Sequence, residues 1–253
     1  MLRDFSRERM DIIIQAGQSN SEGTGYGPAD DPFIPDDRIL YLQNDFTISP
    51  AAELVEGNQI RGNFALAFAK RYIEEGLLEE GRLLLIVRAA VGGTGFLDKR
   101  WGLEDDLYQK MMEMVKTALQ LNPENRLVAF LWHQGETDAD LHADYDTHYH
   151  NLREMVRMSR GSFGGGAIPF LAGNFVEQWR RENADRSEPV ERAIRDVCVN
   201  APNAAFVESD GLLSNGQKLG NADTIHFCRD ALNQLGERYF EAYLRMVEIY
   251  RKK

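Results

Sequence analysis

Ile12-Ile13-Ile14-Gln15-Ala16-Gly17-Gln18-Ser19-Asn20 begins as an apolar run of strand length and ends in a turn of small and polar residues. Runs of the same kind recur at 83–90, 127–133, 168–172 and 204–208, separated by longer amphipathic segments. Strands that alternate with helices build a mainly parallel sheet covered on both faces. Helical spacing is clearest over 64–75, in Leu107, Met111, Met114, Val115 and Ala118, and in Tyr145, Tyr149, Leu152, Met155 and Val156. A shorter candidate covers 190–199, and a last helix starts near Arg229, carries Leu232, Leu235, Tyr239 and Tyr243 at core spacing, and runs to the C-terminus. The expected fold is therefore α/β, with a five-stranded sheet in a single domain over 1–253. Residues 21–62, rich in Gly, Pro and Asp, break the pattern and read as an elaborated loop over one sheet edge, with one short strand candidate at 38–43. A loop of that length in a compact domain is usually functional.

The composition narrows the partners. With 253 residues and 43% apolar side chains, the chain has ample material for one continuous core. A net charge of -11 repels nucleic acid and anionic membrane surfaces unless a basic patch overcomes it. The densest basic cluster, Arg180, Arg181 and Arg186, is diluted by Glu177, Glu182, Asp185 and Glu188, and reads as a solvated face. Cys198 and Cys228 have neither zinc-knuckle nor redox-pair spacing, so buried free thiols are expected. No run of about 18 apolar residues occurs, and 1–11 is charged with no signal-like stretch, so a cytoplasmic protein with neither nucleic-acid nor membrane partner is the expectation.

In an open parallel sheet, ligands bind at the carboxyl ends of the strands. Four polar blocks fall at such ends or in a late loop: Ser19 after the first run, Gly92-Gly93-Thr94-Gly95 after the second, His133-Gln134-Gly135-Glu136 after the third, and Asp223-Thr224-Ile225-His226 before the last helix. A serine hydroxyl is a poor nucleophile until a base takes its proton and a third group orients that base. Asp223 and His226, three apart in a turn, can lie on one side and leave an imidazole nitrogen for Ser19. Each block alone has a plainer reading: Ser19 as a helix cap, Asp223 and His226 as a surface turn, Gly92 to Gly95 as a flexible turn, and Gln134 as a buried structural amide. The Gly-x-Ser-x-Gly elbow is absent, because Ser21 stands at its second glycine. Donors for a developing oxyanion are available in the Ser19 amide, an amide of Gly92 or Gly93, and the Gln134 side chain. Glu136 is read as bonding Gln134 and holding the loop, and Asp138 as a helix cap. His142, His148 and His150, with Asp144 and Asp146, invite a metal reading, but the core face next to them favours a solvated helix, so no metal and no cofactor are expected.

Taken together, Gly17-Gln18-Ser19-Asn20, Gly92-Gly93-Thr94, Trp132-His133-Gln134-Gly135-Glu136-Thr137-Asp138 and Asp223-Thr224-Ile225-His226-Phe227 resemble the SGNH hydrolase superfamily. More narrowly, they resemble carbohydrate esterase family six, which holds sialic-acid-specific acetylesterase and acetylxylan esterase relatives. The resemblance implies a flavodoxin-like three-layer α/β/α sandwich. It also implies Ser19 as nucleophile, His226 as base, Asp223 as its partner, and an oxyanion hole from the Ser19 amide, the Gly92 amide and Gln134. An Asn usually stands where this chain has Gln134 in the wider superfamily. Ser21, where relatives often carry an apolar residue, and Gly95, where a Ser is frequent, are departures expected to bear on the acyl or sugar pocket. The expected function is a metal-independent serine esterase that removes acetyl or similar small acyl groups from an acetylated sugar or oligosaccharide. The alternatives are a thioesterase or lipid esterase on the same scaffold and a carbohydrate-binding protein without turnover. Trp101 and Trp179 are candidate sugar-stacking surfaces that equally suit a core.

Overall fold

A computed structural model describes residues 4–164 and 168–251. After a 3-10 turn at Phe5–Arg7, the chain runs β1 (Arg9–Gly17), α1 (Ser19–Glu22), β2 (Ile39–Leu42), β3 (Ile48–Pro50), β4 (Leu54–Glu56), β5 (Gln59–Arg61) and α2 (Phe64–Glu74). It continues through β6 (Arg82–Arg88), α3 (Asp106–Gln120), β7 (Arg126–His133), α4 (Glu136–Asp140), α5 (Tyr145–Phe163), β8 (Phe170–Gly173) and α6 (Glu177–Glu182). The last elements are α7 (Ala184–Asn200), β9 (Ala204–Val207), α8 (Asn215–Leu219) and α9 (Arg229–Arg251); the final two residues of the expected C-terminal helix lie outside the described residues.

The main sheet has seven strands in the order β3-β2-β6-β1-β7-β8-β9. The five strands β6-β1-β7-β8-β9 are all parallel and are the five expected from the sequence, in a flavodoxin-like order. The expected count of five is corrected to seven, because 21–62 is more than a loop. It adds β2, parallel to β6, and β3, antiparallel to β2, at one edge, and it also folds the separate hairpin β4-β5. Helices cover both faces, which is why β1 is buried from Met10 to Gly17 although its side chains alternate in direction. The aromatic contacts sort the layers. His133 touches Phe64 of α2 and Tyr239 of α9 on one face, while its neighbour Trp132 touches Phe96 and Trp101 on the other. On that second face Phe96 meets His148 of α5, and α5 packs on α7.

The two ends of β1 differ in kind. At its amino end, Asp11 is fully buried and accepts hydrogen bonds from Arg82 Nε (2.7 Å), Arg126 Nε (2.7 Å) and the Tyr72 hydroxyl (2.8 Å). Truncating it strands the buried Arg82 guanidinium, so Asp11→Ala is expected to lose about 3–5 kcal/mol of stability in a denaturant titration. At its carboxyl end, Gly17 takes φ +126°, and a Cβ there would lie 2.1 Å from the His133 carbonyl oxygen. Only glycine lets the ends of β1 and β7 close this far, and the Gln18 amide then bonds the same carbonyl at 2.9 Å. From β1 the chain leaves toward β2, and from β7 it leaves toward β8, so the sheet's switch point lies between these two carboxyl ends.

Candidate active site

Ser19 opens α1 directly beyond this switch point and keeps 8% of its surface exposed. His226 reaches it from the loop before α9, with Nε2 2.9 Å from Ser19 Oγ. On its other side His226 Nδ1 lies 2.9 and 3.0 Å from the two oxygens of Asp223. Asp223 also accepts from the His226 amide (3.2 Å) and from Asn215 Nδ2 (2.9 Å). Burial by itself would raise this carboxyl, but the bonds from His226 and Asn215 outweigh it and hold it below the ordinary carboxylate range. A carboxylate kept ionised on Nδ1 fixes a proton there and leaves Nε2 bare, facing a hydroxyl. That arrangement can draw a proton from Ser19.

The loop that carries His226 is clamped by Asn20. Its Nδ2 donates to the Ile225 carbonyl (3.0 Å) and to Glu136 Oε1 (2.8 Å), and its Oδ1 accepts from the Phe227 amide (3.1 Å). Glu136 is fully buried, and burial pushes its carboxyl up despite the bond from Asn20. It therefore braces the His226 loop through Asn20 and does not bond Gln134, which corrects the role expected for it. The 3.8 Å approach of His133 Nε2 to Glu136 is no ion pair, since burial drives His133 down to about 3 and keeps the ring neutral.

Gln134 is held by Asp138. Its Nε2 donates to Asp138 Oδ2 at 2.8 Å, and the Thr94 carbonyl and Gln18 Oε1 stand farther off, at 3.4 and 3.5 Å. Asp138 is not a helix cap, as the sequence suggested, but a buried hub. It accepts from the Phe96 amide (2.9 Å) and the Leu97 amide (2.8 Å), and it lies 3.3 Å from His148 Nδ1. Burial alone would raise its carboxyl; His148 and these amides overcome that and hold it low. His148 is thus a core residue and not part of a solvated face, while His142 and His150 stay exposed. Among the described residues, no three His, Cys, Asp or Glu side chains group to hold a metal ion.

The two departures from the family pattern also find their places. Ser21 is buried and its hydroxyl donates to the Ala16 carbonyl (2.9 Å), so it braces α1 rather than lining a pocket. Gly95 leaves room for Asp138, whose Oδ1 would sit 2.7 Å from a Cβ at that position. Trp101 is fully buried with Nε1 bonded to Thr94 Oγ1 (2.9 Å), and Trp179 is 4% exposed; neither stacking surface is open to a sugar. Cys198 and Cys228 are buried free thiols, with burial pushing Cys198 up to about 12.

Gly92 lies beside the nucleophile, a Cβ there falling 3.6 Å from Ser19 Cβ, and its amide donates to Glu22 Oε2 at 2.9 Å. Gly93 takes φ +67° with open space around it. The structure thus brings Ser19, Asp223, His226 and Gly92 together, while Gln134 is fully buried with its amide on Asp138. Sequence reasoning gave no role to Asn20, Asn215 or Gln18, and it missed Asp138 as a hub. Asn20 belongs to the Gly-Gln-Ser-Asn motif and was findable, whereas nothing local marks Asn215.

Comparison with known proteins agrees with this frame. The family model described as carbohydrate esterase, sialic acid-specific acetylesterase, matches residues 9–245. A probable carbohydrate esterase of Arabidopsis thaliana is 24% identical over 258 residues, 92% of this chain and 90% of the relative. A probable 9-O-acetyl-N-acetylneuraminic acid deacetylase of Escherichia coli (strain K12) is 36% identical, but over 61 residues that cover 24% of this chain and 18% of that one. The crystal structure of NanS shares the fold with a TM-score of 0.79 at 19% identity, covering 97% of this chain and 99% of that one. Because the family match extends over nearly every element that builds the sheet and the rim, the chain belongs to the carbohydrate esterase, sialic acid-specific acetylesterase family, and is a carboxylic ester hydrolase directed at acetylated carbohydrate.

Proposed function

We propose that 1–253 works as one catalytic domain that removes acetyl groups from sugar hydroxyls through an acyl-Ser19 intermediate. The observation that carries this reading is the unbroken chain of contacts from Ser19 Oγ to His226 Nε2 and from His226 Nδ1 to Asp223, at 2.9 Å each. Ser19 Oγ attacks the acyl carbon while its proton passes to His226 Nε2, and negative charge gathers on the former carbonyl oxygen. The bond from the acyl carbon to the sugar oxygen then breaks, and His226 returns the proton to that oxygen. Water repeats the sequence with His226 again as base, which releases acetate and restores Ser19.

The oxyanion needs donors fixed in advance. The Ser19 amide is one, since the first N–H groups of a helix have no partner within it. Gly92 offers a second once its amide is released from Glu22 Oε2, and the Gln134 hydrogen not committed to Asp138 would be a third. Gln134→Ala is expected to lower kcat by about 10² to 10³ in protein that remains folded, and to lower Tm as well, because the fully buried amide is removed from the buried Asp138 carboxylate; an unchanged kcat assigns Gln134 to bracing the rim alone. The E. coli relative makes O-acetylated N-acetylneuraminic acid the first sugar to test. Acetate release from it, together with hydrolysis of 4-nitrophenyl acetate well ahead of the octanoate, is the expected result. Faster octanoate hydrolysis would move the protein to lipid or thioester chemistry, and sugar binding without any ester turnover would make it a binding protein.

A further inference from the structure

Glu22 follows the nucleophile by three residues, on the same short helix, and its carboxylate is where an esterase can least use one. Oε2 accepts the Gly92 amide at 2.9 Å, and this amide stands beside Ser19. One N–H cannot serve a fixed carboxylate and a developing oxyanion together, and two negative charges brought close in a partly buried site repel. While Glu22 stays there, this part of the oxyanion hole is filled.

The structure also shows where the carboxylate can go. A cavity of about 110 Å³ opens next to it, lined by Glu22, Gln15, Gln43, Asn44 and Arg88. The half-buried Arg88 guanidinium donates to the Glu22 backbone carbonyl (3.2 Å) and to Gln43 Oε1 (3.2 Å), and it lies over the Tyr41 ring. Among the described residues it is in an ion pair with no carboxylate. The Glu22 side chain thus blocks an amide donor while lining the same cavity as a cation that, among the described residues, pairs with no carboxylate.

We propose that Glu22 determines specificity by covering the Gly92 amide until a hydroxyl-bearing substrate draws its carboxylate toward the cavity and Arg88. An acylated sugar offers hydroxyl donors to a carboxylate and so opens the donor as it binds; a plain aryl ester offers none and meets a half-filled oxyanion hole. The inference rests on the serine esterase reading and adds a filter to it.

The test compares 4-nitrophenyl acetate with mono-O-acetylated N-acetylneuraminic acid on the wild type, Glu22→Ala and Glu22→Gln. A charge-assisted bond to a backbone amide is about twice as strong as a neutral one. Glu22→Ala is therefore expected to raise kcat/KM for the aryl ester about tenfold and Glu22→Gln about threefold. The sugar ester should gain nothing or lose, so that the ratio between the substrates collapses. Aryl ester rates that stay level or fall in both folded variants overturn the proposal, as does an equal gain on both substrates. Should Glu22→Ala not fold, Glu22→Gln decides alone, because it keeps the shape and removes only the charge. A wild type that cleaves neither ester sinks the esterase reading itself. A wild type that cleaves only the aryl ester sinks the sugar assignment, with the variants still deciding whether Glu22 covers the amide.

Discussion

Ser19→Ala should abolish measurable acetate release, with kcat falling on the order of 10⁴ or more while the fold is kept. The geometry gives the reason. His226 Nε2 has one hydroxyl to act on at 2.9 Å, and the variant removes that oxygen and nothing else. Alanine suits the first turn of α1, so thermal unfolding should move little. What survives should come from substrate binding and the remaining oxyanion donors. The assay is 4-nitrophenyl acetate hydrolysis with EDTA present throughout, so that a contaminating metal-dependent esterase is silent. Wild-type turnover by the variant would remove Ser19 from the reaction and leave the 2.9 Å contact with a purely structural role.

Asp223→Asn tests the other end of the relay, and its expected loss is similar, on the order of 10⁴ in kcat. The Asp223 carboxylate accepts from His226 Nδ1, the His226 amide and Asn215 Nδ2. An asparagine has one acceptor oxygen in place of two. If that oxygen faces His226, its NH2 confronts the NH2 of Asn215. If it faces Asn215, its NH2 donates to His226 Nδ1 and pushes the ring proton to Nε2, where it points at Ser19 Oγ and cannot take a proton from it. The second arrangement disables the base outright, while the first keeps Nε2 bare but sets two NH2 groups against each other and leaves the imidazolium without a carboxylate to stabilise it, so the second is the favoured one. A variant with intact near-ultraviolet circular dichroism and wild-type kcat would show that His226 needs no carboxylate partner here.

The five parallel strands were legible because each is an apolar run long enough to stand out from its surroundings. Within 21–62 the candidate at 38–43 is β2, whereas β3, β4 and β5 have three residues each, too short to show a period, so the rest of the segment read as loop. The relay was legible because Ser19, Asp223 and His226 carry chemistry in their side-chain types alone. Partner choice was not, since it depends on where side chains point. Gln134 and Asp138 are four apart across the start of α4 and meet on one side, whereas Glu136 lies between them and turns toward Asn20. The burial of His148 could have been read: it precedes Leu152 and Met155 by four and seven residues, on the stripe that faces the core. Asp11 looked like one more charge in a charged N-terminal segment, because nothing nearby announces that Arg82, Arg126 and Tyr72 will meet on it.

Strand β1 therefore carries at one end the charged knot around Asp11 and at the other the Gly17 turn that presents Ser19. In a library of variants scored in cells, these two ends would separate. Changes around Asp11 would show as less protein with each surviving molecule working at its normal rate, and changes just past the Gly17 turn, at Ser19 itself, as normal amounts of idle protein.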